Sequence, residues 1–260
     1  MENSYALVTG ASSGIGLAIA RELARNKHNL ILVARRQAKL EQLAQSLASE
    51  GVAVEVIAAD LLVEGGAEAL FEQVESKGLM VDVLVNNAGR GNAGQFADQK
   101  LQHMRGTLAL NIDALTTLSR LFLTGMLKRK QGRILNVASV AGFMPGPGFA
   151  VYHASKAYVL SLSEALNAEL KGTGVTVTAS CPGPTESEFH DHADTRSVKG
   201  FELLSMMSAD EVAREAYVAM MEGQSFYVHG GLNKVMTSSP RFLPRRWLVS
   251  VVRRLMTQTK

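Results

Sequence analysis

Cysteine is almost absent from this chain, since only one of its 260 residues, Cys181, is a cysteine. A single cysteine excludes an internal disulfide and any metal site built from several cysteines, and it is typical of a reducing compartment. The pattern of a secretory signal is missing too, because the first residues lead directly into the short apolar run 5–8. No uninterrupted apolar stretch is long enough to span a membrane. We therefore expect a cytoplasmic protein.

Acidic residues are missing from the tail, residues 240–260, which contains six basic side chains: Arg241, Arg245, Arg246, Arg253, Arg254 and Lys260. The rest of the chain carries 21 basic and 24 acidic side chains, so the net charge of +3 is a property of the tail. A general basic surface for nucleic acid is therefore not expected. On a helical wheel the tail separates an apolar side from a basic side; the apolar side and its margins hold Trp247, Leu248, Val249, Val251, Val252 and Leu255. Such a helix could pack on its own domain, on a partner subunit, or on an anionic membrane surface.

Low-complexity tracts and internal repeats are also absent, and the 47% hydrophobic and 20% charged residues describe an ordinary globular chain. Apolar, β-prone runs occur at 4–9, 29–34, 52–58, 81–85, 133–137, 175–180 and 225–228. Helical patterns separate them, the longest at 100–130. This alternation predicts one α/β catalytic domain over residues 1–239, with a Rossmann-type, doubly wound and mainly parallel seven-stranded sheet and helices on both faces.

Three glycines lie between the first predicted strand and the first helix. Gly10, Gly14 and Gly16 are separated by a stretch that includes Ser12 and Ser13, and by Ile15. Glycines permit a tight turn and a close approach of the backbone to a ligand, and the start of a helix favours a pyrophosphate. The spacing differs from the commoner G-x-G-x-x-G fingerprint. The alternative is a plain glycine-rich turn, but a turn between a strand and a helix does not require three glycines and two hydroxyls.

Two arginines follow the second predicted strand. NAD-binding sheets usually place a carboxylate there for the ribose 2′-hydroxyl, whereas an arginine accommodates a 2′-phosphate. This chain has Arg35 and Arg36 at that point and no acid. The alternative is a solvated helix start, but basic residues oppose the dipole of the helix that follows. The sequence therefore favours NADP(H) as cofactor.

Polar side chains also occur where a Rossmann-type sheet binds its ligands. Asp60, the run 86–89 (Asn-Asn-Ala-Gly) and Ser139 follow the third, fourth and fifth predicted strands. Asn111 lies inside the long predicted helix, where asparagine is unfavourable. Either its amide is satisfied locally, or it serves a site.

Tyr152 and Lys156 are four residues apart on a predicted helix, which places them on one face. A nearby ammonium stabilises a phenolate, so we expect the pKa of Tyr152 to fall below its ordinary value near 10, toward the range useful for proton transfer. Taken alone, the pair could also be a chance surface pair on an amphipathic helix.

Taken together, these residues resemble the short-chain dehydrogenase/reductase family over about residues 4–230. The motifs that carry the resemblance are the loop 9–16 (Thr-Gly-Ala-Ser-Ser-Gly-Ile-Gly), Asn86-Asn87-Ala88-Gly89, and Asn111, Ser139, Tyr152 and Lys156, which match the catalytic tetrad in order. The resemblance implies cofactor contacts from the glycine loop, Arg35, Arg36, Asp60, Leu61, Asn87, Ala88, Gly89, Tyr152, Lys156, Pro182, Gly183 and Thr185. The sequence Pro184-Thr185-Glu186-Ser187 departs from the family's usual Val-x-Thr, so Thr185 is the first candidate for the nicotinamide carboxamide and Ser187 the second.

The resemblance also implies the chemistry. Tyr152 would be the acid or base of hydride transfer between nicotinamide and a carbonyl or secondary alcohol, and Ser139 would hold the reacting oxygen. Lys156 would bind the nicotinamide ribose, and Asn111 would hold a water; no metal is required. A homodimer or homotetramer is expected, as is a mobile, substrate-covering segment at about 186–208, where His190 and His192 are better explained by solvation than by metal binding. The alternative function is an NADP(H)-sensing protein without turnover.

Overall fold

In a computed structural model of the protein, which describes residues 4–186, 206–241 and 244–255, seven strands form a single parallel sheet. The strands are β1 (Ser4–Thr9), β2 (Asn29–Ala34), β3 (Val54–Ala58), β4 (Met80–Asn86), β5 (Gly132–Val137), β6 (Val175–Cys181) and β7 (Phe226–Val228). Their order is β3-β2-β1-β4-β5-β6-β7, and every neighbouring pair is parallel. The predicted fold class is confirmed, and the sheet is parallel throughout.

Helices connect the strands and cover both faces of the sheet. They are α1 (Gly14–Arg25), α2 (Gln37–Ser46), α3 (Gly66–Ser76), α4 (Leu101–Leu108), α5 (Leu115–Arg129), α6 (Ala150–Glu169), α7 (Ala209–Met221), α8 (Gly231–Ser238) and α9 (Arg245–Leu255). Short 3-10 helices occur at Ala48–Glu50, Val140–Phe143 and Ser239–Arg241. Most boundaries lie within a few residues of the predicted ones.

The two faces of the sheet are apolar because successive side chains of a strand point in opposite directions. In β1, Ala6 and Val8 belong to the core beneath α1, α2 and α7, whereas Leu7 belongs to the core beneath α3 and α5. Strands that are buried on both faces read as continuous apolar runs, which is why the sequence signal was strong.

The helical stretch predicted over residues 100–130 is present from Leu101 to Arg129, but its winding changes part-way along. A π-helical segment, Ala109–Ala114, separates α4 from α5, and Asn111 lies within it. Wider turns of this kind occur as single insertions in α-helices, often at functional sites. Here the segment sets Asn111 into the domain interior, where its side chain is buried.

The basic C-terminal helix α9 packs on its own domain. Leu248 and Val252 are buried, whereas Trp247 and Val251, predicted to share the apolar side, are more than half exposed. Of the three placements left open by the sequence, the structure shows the first. Within the part of the chain that the structure describes, no helix combines the length and the apolar character needed to cross a membrane.

Candidate active site

The carboxyl ends of the parallel strands border a cavity of about 580 Å³. The chain adds β2 and β3 on one side of β1 and β4 to β7 on the other, so the strand order reverses beside β1. Open α/β sheets bind ligands at such a topological switch point. Of the predicted site residues, the cavity is lined by Gly10, Ser12, Ser13, Gly14, Ile15, Arg35, Arg36, Asp60, Leu61, Asn87, Ala88, Gly89, Ser139, Tyr152, Lys156, Pro182, Gly183 and Thr185. Gly16 and Asn111 lie behind its wall.

The glycine loop is held from below by Asn87. Its Nδ2 donates to the carbonyl oxygen of Thr9 at 2.9 Å and to that of Gly10 at 3.3 Å. Gly10 has φ +67°, which favours glycine, and a Cβ added at Gly16 would contact both Asn87 Nδ2 and the Gly10 carbonyl. Asn87 therefore shapes the loop with its amide, in addition to lining the cavity.

Arg36 connects the second strand to this loop. Its Nη2 atom lies 3.0 Å from Ser12 Oγ and 3.0 Å from Ser13 Oγ, so a guanidinium and two hydroxyls meet at one rim of the cavity. Arg35, the preceding residue, is exposed at the same rim. The group combines one fixed cation with hydroxyl donors, and it suits a phosphate ester. Asp60 lies nearby in the lining, where its Oδ1 accepts from the Leu62 N–H at 3.0 Å.

Tyr152 and Ser139 meet at the other part of the cavity. The Ser139 hydroxyl accepts from the Ala141 N–H at 3.1 Å, which orients it, and it lies 3.3 Å from the Pro182 carbonyl oxygen. Burial raises the pKa of Tyr152 to about 12, and its side-chain hydrogen bond with Ser139 lowers that pKa only in part. The expected fall in this pKa is therefore wrong for the protein as described.

Lys156 shows why the direction differs. Its Nζ lies 5.8 Å from the centre of the Tyr152 ring and donates to the Val137 carbonyl oxygen at 2.7 Å. The loss of water around the buried phenol thus outweighs the lysine's field. Burial also lowers the pKa of Lys156 to about 8, so its charge is lost at lower pH than that of an ordinary lysine.

Asn111 supports the site from behind. Its Nδ2 donates to the Arg90 carbonyl oxygen and to Ser155 Oγ, both at 2.9 Å, and its Oδ1 accepts from the Arg90 N–H at 2.9 Å. The amide is thus satisfied, but by partners 21 and 44 residues away in the chain and not locally within its own helix. A Cβ added at Gly89 would lie 3.3 Å from Asn111 Oδ1 and 3.6 Å from Lys156 Nζ, so the glycine allows these groups to approach each other. The water assigned to Asn111 stays a prediction.

Thr185 lies at the edge of the cavity. It is buried, its Oγ1 donates to the Gly183 carbonyl oxygen at 3.0 Å, and a parallel β-bridge joins it to Met207. The second candidate for this role, Ser187, lies outside the described residues, as do His190, His192 and most of the predicted substrate segment. In the ranges 4–186, 206–241 and 244–255, no group of His, Cys, Asp or Glu side chains could hold a metal ion.

The apolar lining residues that were not found from the sequence include Met144, Phe149, Met236 and Val252. His153 also lines the cavity, and its Nδ1–H donates to the Met144 carbonyl oxygen at 2.8 Å. Only the helical pattern of the tail offered a signal for Val252. Nothing in the pattern indicates that the tail reaches residues a hundred positions earlier.

Known proteins include relatives that are similar to this chain in sequence and in fold. An uncharacterized oxidoreductase of Staphylococcus epidermidis is 32% identical over 209 residues, which are 80% of this chain and 90% of that protein. The structure of a short-chain dehydrogenase from Sphingobium yanoikuyae in complex with NADPH has a TM-score of 0.81 and 32% identity, and the match covers 98% of each chain. A bulky-bulky ketone specific alcohol dehydrogenase from Comamonas testosteroni has a TM-score of 0.78 and 30% identity, and the match covers 99% of this chain and 98% of that one.

The family model described as short chain dehydrogenase matches residues 4–197, which are most of the chain and include all the motifs on which the resemblance rests. The sheet order, the cavity and the relatives agree with that match. This protein therefore belongs to the short chain dehydrogenase family.

Proposed function

We propose that this protein is an NADP(H)-dependent oxidoreductase that transfers a hydride between the nicotinamide and a carbonyl or secondary alcohol substrate. The observation that carries the proposal is one cavity with two chemically different parts. Arg36 and the hydroxyls of Ser12 and Ser13 form the first part, and Ser139, Tyr152 and Lys156 form the second. The NADPH complex of the Sphingobium relative and the ketone specificity of the Comamonas relative support this assignment.

The residues fit the cofactor. The glycine loop leaves room where a Cβ would clash, and the N-terminus of α1 offers free N–H groups to a pyrophosphate. Arg36 with Ser12 and Ser13 would hold a 2′-phosphate, and Lys156 would hold the nicotinamide ribose. When bound, the nicotinamide supplies or accepts the hydride.

Tyr152 and Ser139 would handle the substrate oxygen. Charge develops on a carbonyl oxygen during reduction, and two hydroxyl donors stabilise it. Because burial raises the pKa of Tyr152 to about 12, the phenol keeps its proton at neutral pH and can donate it to that oxygen. Lys156, buried beside the ring, would offset the negative charge left on the phenolate.

A conservative substitution on α6 tests the acid. We expect Tyr152→Phe to abolish NADPH-dependent reduction across a panel of ketones while NADPH binding changes little, because the ring is kept and only the hydroxyl is lost. Tyr158→Phe is the matched control, since Tyr158 lies on the same helix, 37% exposed, with its hydroxyl 3.0 Å from Thr116 Oγ1. Turnover by Tyr152→Phe at the rate of the control would refute the assignment. Tight NADPH binding without turnover of any ketone would favour a sensor instead.

The wider assembly is a separate proposal. Exposed apolar side chains on α4, Leu101 and Leu108, support a homodimer or homotetramer. Sedimentation should then give a multiple of the 27.9 kDa chain mass.

Trp247, Val251 and Arg254 are exposed on one side of α9 and support peripheral contact with an anionic membrane. Replacing Trp247 and Val251 by serine should then reduce pelleting with phosphatidylserine vesicles, and equal pelleting would end this idea.

A further inference from the structure

The cavity beside Tyr152 has an apolar side formed by residues close to it in sequence. Phe149, just before α6, stacks on Tyr152 with a centroid distance of 4.4 Å and an angle of 19°. Gly91 packs closely against both rings, because a Cβ added there would clash with each of them. Met144 lies in the same lining, and the hydrogen bond from His153 holds its backbone to α6.

Further apolar residues of the cavity lining come from the C-terminal helices. Met236 on α8 and Val252 on α9 line the same cavity. Helix α8 packs against the 3-10 turn Val140–Phe143, which begins directly after Ser139, so it lies on the side of the reacting groups.

Helix α8 is also fixed near the end of β6. Asn233 Nδ2 donates to the His229 carbonyl oxygen at 2.8 Å, and the Asn233 side chain packs where a Cβ of Gly183 would stand. Met236 follows Asn233 by one turn, and this contact therefore fixes its position at the cavity.

Helix α9 presents neighbouring valines to different surroundings. Val252 is 3% exposed and lines the cavity, whereas Val251 is 52% exposed. Leu248 lies one turn before Val252 on the same side and is also buried, so this side of the helix is turned away from solvent. A change at Val252 therefore acts on the cavity, and the same change at Val251 acts on the surface.

We propose that Met236 and Val252 form an apolar wall that determines substrate size and selects ketones, or the matching secondary alcohols, with one large apolar arm. The proposal rests on the proposed function, because it assumes that the carbonyl meets Tyr152 and Ser139. The arm would lie between Phe149 and Met144 on one side and the wall on the other. Apolar surface on both sides stabilises a hydrocarbon arm by removing it from water. Neither wall residue could bond the hydroxyls of a sugar-like substrate.

The test compares two ketones that differ in the arm, acetone and benzylacetone, with NADPH as the hydride donor. The wild type should prefer benzylacetone. Val252→Phe narrows the cavity and should lower kcat/KM for benzylacetone by about tenfold or more, as hydrophobic pockets discriminate by this order for small changes in size. Acetone should change by less than about twofold, and the KM for NADPH should stay the same. Val251→Phe, the matched control, should behave as wild type.

A second variant covers the case in which Val252→Phe fails to fold, as its thermal transition would show. Val252→Ala widens the cavity and should raise the kcat/KM for the broader ketone benzophenone relative to benzylacetone by a similar factor. Calorimetric titration of the NADP⁺-loaded protein with benzylacetone tests the apolar wall separately from the proposed hydride transfer. Binding that Val252→Phe weakens and Val251→Phe preserves supports the wall even if no ketone is reduced. Equal effects of the two valine variants, or equal effects on both ketones, would overturn it.

Discussion

Replacing Arg36 by glutamine should convert the protein from a NADPH-binding enzyme into one that distinguishes poorly between NADPH and NADH. In the structure the Arg36 guanidinium is directed toward the glycine loop, with Nη2 3.0 Å from Ser12 Oγ and 3.0 Å from Ser13 Oγ. Glutamine keeps an amide donor but removes the charge and the forked donor geometry that suits a phosphate. The two serine hydroxyls remain.

The expected magnitude follows from the type of contact. A hydrogen bond to a charged group contributes about 1.5–3 kcal/mol, and each 1.4 kcal/mol is about a tenfold change in Kd. Arg36 is exposed, so solvent screens its field and the lower part of that range applies. NADPH should therefore bind roughly 10- to 30-fold more weakly. NADH has no 2′-phosphate, and its affinity should change by less than about twofold.

Fluorescence titration of both cofactors at two salt concentrations measures this directly. The wild-type preference for NADPH should shrink as salt is raised, because the lost contact is ionic. Arg25→Gln controls for net charge, since Arg25 is exposed on α1 and bonds only to Glu22 in the described structure. An equal loss of NADPH and NADH binding in Arg36→Gln would show that the arginine shapes the loop and does not read the phosphate. A loss of the same size in Arg25→Gln would reduce the effect to overall charge.

Three further changes test other parts of the site. Because burial lowers the pKa of Lys156 to about 8, its ammonium is present below that pH and lost above it; kcat/KM for ketone reduction should fall above about pH 8, and Lys156→Met should show no such limb. Asn111→Ala leaves the Arg90 N–H and carbonyl without their side-chain partner and should lower the free energy of unfolding in urea by about 1–3 kcal/mol; an unchanged midpoint would refute this role. Gly16→Ala brings a Cβ against the Gly10 carbonyl and should weaken NADPH and NADH alike, by about tenfold; an effect on NADPH alone would contradict it.

Much of the fold was predictable because buried parallel strands leave a continuous apolar signal. The seven predicted strands match the observed ones to within about two residues at each end, and the family and enzyme class implied by the motifs are confirmed by the family match. The change to π-helical winding at 109–114 was not predictable, because the residues on both sides of it favour an ordinary helix. Asn111 was the one local irregularity that pointed to it.

The site divides in the same way. Residues that follow a strand directly, such as Arg36 and Ser139, were predictable because parallel strands bring their carboxyl ends to one edge of the sheet. The direction of the Tyr152 pKa was predicted wrongly, because the spacing of Tyr152 and Lys156 gives the proximity of two groups but not their burial. The Lys156 ammonium donates to the carbonyl oxygen of Val137, which lies at the end of β5, and the sequence of α6 does not indicate that contact.

The sequence by itself determined the sheet, the glycine loop, the arginine pair after the second strand and the order of the candidate catalytic residues, since each depends on neighbours within a few positions. Only the tertiary structure decided where the basic tail goes and which apolar residues line the cavity together with Tyr152. Helix α9 could have met a membrane or a partner with the same pattern, and burial of Leu248 and Val252 against its own domain settles that point for one side of the helix. The physical reason is that hydrophobic contact is not directional: periodicity shows which side of a helix is apolar, but not which surface covers it.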